Sequence, residues 1–86
     1  MLKWKPLSGE HSAIAETAFA KLIVDVDMPN TRKADVLRYD ARVEANATAL
    51  CVCDDLPSMD EAKDWCESQY AELLFRELTA LDRSFI

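Results

Sequence analysis

Glycine is nearly missing from this 86-residue chain, which carries only Gly9. That excludes phosphate-cradling loops, the dinucleotide fingerprint and the strained nucleophile elbow, because each needs backbone conformations or close approaches that only glycine supplies. Histidine is reduced to one, His11, so a cysteine or serine nucleophile has a single possible ring base. Three prolines and one glycine leave no flexible or proline-rich linker. No stretch approaches about 18 uninterrupted apolar residues, and residues 1–12 lack an apolar signal-peptide core, so neither a membrane span nor a leader is expected. The expected compartment is cytoplasmic. Three cysteines, an odd number, agree with reduced thiols rather than a disulfide framework.

What remains is 50% hydrophobic and 30% charged, the composition of one globular domain near the lower size limit for a self-sufficient core. The net charge is −6, and its distribution is uneven. Acids and bases cancel from Met1 to Cys53. From Asp54 onward, Asp54, Asp55, Asp60, Glu61, Asp64, Glu67, Glu72, Glu77 and Asp82 face only Lys63, Arg76 and Arg83. Such a segment repels phosphate backbones, so nucleic acid is not an expected partner, whereas a basic protein surface would be attracted. Acids near a helix start also suit the helix dipole, which is the plainer account of part of the run.

The patterning predicts an α+β domain. Leu2-Lys3-Trp4-Lys5 reads as a short edge strand stopped by Pro6. Ala13 to Asp27 alternates, with Ala18, Ala20, Leu22, Val24 and Val26 on one face, as one long strand or as two separated by a bend. Met28 to Asp35 reads as a polar loop, with Pro29-Asn30 as a turn signal. Val36 to Ala45 alternates again, placing Leu37, Tyr39, Ala41, Val43 and Ala45 on the inner face. Asn46-Ala47 is a tight hairpin turn, and Thr48 to Cys53 returns as the last strand.

Ser58 to Arg83 is then one amphipathic helix, opened by a capping box between Ser58 and Glu61. The expectation is a three- to four-stranded, mainly antiparallel sheet with this C-terminal helix across one face, as a single domain over residues 1–86. At 100° per residue Ala62, Trp65, Cys66, Gln69 and Leu73 share the core-facing stripe, and Asp60, Asp64 and Glu67 lie opposite. Twenty-six helical residues span about 39 Å, whereas a seven-residue strand covers about 23 Å. The helix therefore overruns the sheet. Leu74, Phe75, Leu78, Leu81, Phe85 and Ile86 are left as apolar surface, to be covered by a break near Thr79 that folds the tail back, by a second copy or by a different partner; a partner surface, most simply a homodimer, is the expected cover.

Candidate chemistry is sparse. Cys51 and Cys53 share a strand face, and with Cys66 and His11 they make a Cys3His set arithmetically possible; structural zinc sites, however, pair ligands two to four residues apart on turns. Asp54 and Asp55 form a carboxylate pair explained by their approach to the helix. No metal, cofactor or catalytic residue is expected, and the chain is read as a non-enzyme.

In the order of its features, the aromatic strand Leu2-x-Trp4, the strand Ala18-x-Ala20-Lys21-Leu22-x-Val24, Tyr39-x-x-x-Val43 and the helix start Ser58-x-x-Glu61-Ala62-Lys63-x-x-Cys66, the chain resembles small reading frames of bacteriophages and prophages. That group includes anti-defence proteins such as anti-CRISPR inhibitors, so the resemblance implies a non-catalytic inhibitor that binds a host defence complex through protein-protein contact. It marks no catalytic residue. A second likeness, through Ser58, Glu61 and Ala62, is to HicB-type antitoxins, although Asp54-Asp55-Leu56-Pro57 stands where those carry Pro-Asp-x-Pro-Gly. A structural subunit of a larger assembly is the other alternative, and a thiol- or metal-dependent enzyme the least favoured.

Overall fold

The computed structural model describes residues 2–84, with side chains described through Arg76. The chain is a five-stranded antiparallel meander covered on one face by a long helix: β1 (Lys5–Pro6), β2 (Ala13–Glu16), β3 (Lys21–Val26), α1 (Met28–Ala34), β4 (Tyr39–Ala45), β5 (Thr48–Leu56) and α2 (Met59–Ser84). Strand order follows chain order, β1-β2-β3-β4-β5. The sheet thus has five strands where three to four were expected. The excess arises at the start of the chain, where Ala13–Glu16 is a strand of its own and Lys5–Pro6 pairs with it.

The β2-β3 bend is built by Thr17, whose Oγ1 accepts from the Phe19 and Ala20 amides at 3.2 and 2.9 Å while its own amide donates to the Ala20 carbonyl. Ala18 falls in this turn and is exposed, not on the inner face. Leu2 and Trp4, expected in a strand, precede β1 and pack against the edge of the core instead.

Residues 28–35, read as a loop, form α1 and its C-terminal cap. It is capped at both ends. The Asp27 carboxylate accepts from the Asn30 amide nitrogens, Pro29 occupies the first turn, and Asp35 closes the helix in the left-handed region at φ 58°. The Asn30 side-chain bond holds the Asp27 carboxyl below its ordinary pKa. Nothing in α1 is buried, so capping rather than packing defines it.

β4 begins at Tyr39, which leaves Val36 and Leu37 exposed before it, while Tyr39, Ala41 and Val43 alternate into the core. The β4-β5 turn places Asn46 and Ala47 at φ 53° and 62°, the paired positive angles of a tight hairpin. β5 continues through Asp54 and Asp55 to Leu56 and carries two irregularities. It spends an extra residue between Ala49 and Cys51, and another between Cys53 and Leu56, where Asp55 is left-handed at φ 60°.

Pairing fixes the faces. Ala15, Leu22, Val43 and Cys51 form one row on the helix side, and Ala13, Val24, Ala41 and Cys53 the next. The core they make is rich in small side chains: Ala15, Ala20, Ala41, Ala62 and Cys66 accompany Leu22, Val24, Tyr39 and Val43. The Ser58 hydroxyl accepts from the Glu61 amide at 3.1 Å and starts α2. Ala62 and Cys66, one turn apart and both fully buried, seat the helix on the sheet, and the Cys66 thiol contacts the Ile23 and Arg42 carbonyls at 3.9 and 3.7 Å. Trp65, Tyr70 and Leu73 pack beside them. The Cα radius of gyration is 14.5 Å, above the roughly 12 Å of a compact chain this long. The long axis of 54 Å against 22 Å in the other directions locates the excess in α2, which outruns the sheet.

Candidate protein-interaction surfaces

The outer face of α2 carries Asp60, Glu61 and Asp64, all exposed. Among the described residues none of them is in an ion pair; the salt bridges are His11 with Glu10, Arg38 with Asp55 and Arg42 with Glu44. Lys63, the nearest base in sequence, lies over the Trp4 ring at 5.8 Å from its centre. Glu67 differs from Asp60 and Asp64. Half-buried, it accepts a 3.0 Å hydrogen bond from Trp4 Nε1, and so ties residues before β1 to the helix flank rather than facing outward. Of the tail residues, Leu74 is half-buried and Phe75 is 71% exposed. Leu78 and Leu81 lie on the helix with side chains outside the described part, and Phe85 and Ile86 are outside the described residues.

The cysteines resolve into one deep and two shallow positions. Cys51 and Cys53 share the helix side of β5, leaving Leu50 and Val52 on the open face. Burial pushes the Cys66 thiol up to about 12 and raises that of Cys51 as well. Raised thiols are poor nucleophiles and poor metal ligands. His11 is not with them: its Nδ1 lies 3.3 Å from the Tyr39 hydroxyl and its Nε2 3.4 Å from Glu10. Among the described residues no three acid, cysteine or histidine side chains are grouped to hold a metal ion.

Sequence reasoning missed an acidic group on the open face. Asp25 of β3 stands directly opposite Asp40 of β4, and Asp54 of β5 lies beside Asp40. Burial and then the Asp25 charge raise the Asp40 carboxyl, and its Oδ1 is buried without a hydrogen bond among the described residues. The Arg42 charge offsets part of that rise, although both nearby arginines are also engaged elsewhere. Arg38 donates to the Asp55 carboxylate and carbonyl at 2.6 Å each, and Arg42 pairs with Glu44. The period-two spacing of Asp25 and Asp40 within their strands was visible; their register across strands was not.

An open groove of about 460 Å³ lies between the Thr17–Ala20 bend and the Asn46-Ala47 turn, rimmed by Glu16, Phe19, Lys21 and Glu44. Its lining holds no histidine or cysteine, and its one hydroxyl, Thr17, is engaged with the Phe19 and Ala20 backbone. Comparison with protein-family models, curated proteins and solved structures gives no match. Function is therefore argued from the chain's own surfaces. No helix among the described residues is long and apolar enough to cross a membrane.

Proposed function

We propose that this chain is a non-catalytic protein-binding module whose acidic helix face meets a basic surface on a partner protein. The observation that carries the reading is the outer face of α2, where Asp60, Glu61 and Asp64 are exposed and without counter-ions among the described residues. A fixed row of carboxylates on a rigid helix steers a cationic partner and sets its orientation more than it adds affinity. In this reading the likeness to phage reading frames makes the partner a component of a host defence system. The overhanging end of α2, from Leu74 onward, is a second contact area, used in self-association.

The test is charge reversal. Asp60→Lys with Asp64→Lys leaves Glu67 to hold Trp4, so the fold is undisturbed, as circular dichroism would check. A partner captured by the tagged parent chain from host extract should be lost with the variant, and its capture by the parent should weaken as salt is raised. Equal recovery of that partner by parent and variant would sink the reading.

A further inference from the structure

The two edges of the sheet are unlike. At one, β1 is two residues long and ends in Pro6, which has no amide hydrogen to donate. At the other, β5 runs for nine residues, and among the described residues no strand lies beyond it. Alternate amides and carbonyls of such an edge point outward, available to another chain. The side chains along it are also exposed: on the open face Leu50 is 51% and Val52 56% exposed, with Asp54 next in the row. The two irregularities of β5 bound the regular template to the stretch around Cys51, Val52 and Cys53.

We propose that the outer edge of β5 is a docking site for an extended segment of a partner protein, added as a further antiparallel or parallel strand, with an apolar residue beside Val52 and a lysine or arginine beside Asp54. This rests on the protein-binding reading above and adds a second, separate surface to it. The occupant follows from the charges. A guest residue beside Asp54 stands one strand spacing, about 4.8 Å, from Asp54 and two spacings from Asp40. A basic side chain there pairs with the exposed Asp54 carboxylate and faces the negative charge of Asp25 and Asp40 behind it. An apolar guest residue two positions away covers Val52, and with it Leu50.

A second copy of the chain fits the same edge less well. β5 contains no lysine or arginine, so a copy brings no cation to the acidic group. Pairing two β5 strands about Val52 sets Asp54 against Leu50 of the copy, and pairing them about Cys51 sets it against Thr48. Neither neutralises Asp54.

The probe is a short synthetic peptide of repeating Val-Thr-Lys-Thr, which sets valine and lysine two positions apart on one face, used with two relatives, one N-methylated at every threonine and the other at every valine and lysine. In an added strand the amides of one of these sets face β5 and those of the other face solvent. One methylated peptide should therefore bind the full chain like its parent, and the other at least tenfold more weakly. Hydrogen exchange should slow at β5 amides when the parent peptide binds. Asp54→Lys should weaken binding about tenfold, one attractive pair being replaced by a repulsive one. Equal affinity of the two methylated peptides, or no binding of the parent peptide, would overturn the proposal. So would a purified chain that light scattering shows to be a dimer with β5 amides already protected. The helix-face reading stands or falls separately, on capture from extract.

Discussion

Replacing Cys66 by alanine probes the seat of α2 directly. The residue is fully buried, and its sulfur sits between the Ile23 and Arg42 carbonyls. Removing one buried group of that size forfeits about 0.8 kcal/mol of transfer free energy. A residual cavity of about 25 Å³ at about 24 cal/mol per Å³ adds about 0.6 kcal/mol. Alanine is the better helix former by about 0.6 kcal/mol, which offsets part of the loss. The net is a destabilisation of about 1 kcal/mol, which for a domain this short lowers the melting temperature by about 4–8 °C. Thermal melts by circular dichroism, with urea titrations showing a lower midpoint at unchanged slope, are the assay. Cys53→Ala, at a half-buried position that is not part of the core, is the control and should move stability by less than about 0.5 kcal/mol. Ala62→Leu tests the same contact from the other side, because an added isobutyl group must push the helix off the sheet, at a cost of about 1–3 kcal/mol. A Cys66→Ala variant that melts with the parent, or an Ala62→Leu variant that melts above it, would refute the close seat of α2 on β3 and β4.

Three further outcomes follow from named groups. In the folded chain alkylation at pH 8 should label Cys53 first, Cys51 more slowly and Cys66 last, since a thiol raised from 9.0 to about 12 has about a thousandfold less thiolate; mass spectrometry of timed digests reads the order, and early labelling of Cys66 would contradict its burial. Asp40→Asn should stabilise the chain by roughly 0.5 kcal/mol at pH 7, because like charges directly opposite in a sheet cost about that much. Since the folded-state pKa of Asp40 is raised, its penalty is present above that value and is relieved as pH falls through it, so the advantage of the variant in denaturant titrations should shrink on acidification. Ser58→Ala should cost about 1 kcal/mol through the lost cap of α2, seen as a lower melting temperature with unchanged helix content at 25 °C.

Those elements whose boundaries are set by side-chain periodicity were legible in the sequence. Tyr39, Ala41 and Val43 alternate without interruption, Asn46-Ala47 supplies a turn, and Ala62, Trp65, Cys66 and Leu73 mark the buried stripe of α2, all as found. α1 was not legible because it buries nothing. Its signals are Asp27 two residues before Pro29 and a basic last turn, which are capping cues easily mistaken for a loop. The faces of β5 were undetermined because Leu50 and Val52 are as apolar as Cys51 and Cys53; only pairing with Val43 and Ala41 settles which pair turns to the helix. The acidic group depends on register between strands that no single segment encodes. Asp60 and Asp64 were placed correctly on the outer face, while Glu67 was claimed by Trp4, a contact across 63 positions of sequence.

A sheet closed by Pro6 on one side and open along β5 on the other has a growth valence of one. A strand joining β5 finds no matching open edge at β1 from which a further subunit could continue, so edge-to-edge assembly of this chain terminates instead of propagating into a fibre. The same asymmetry makes one guest per sheet the stoichiometry to expect.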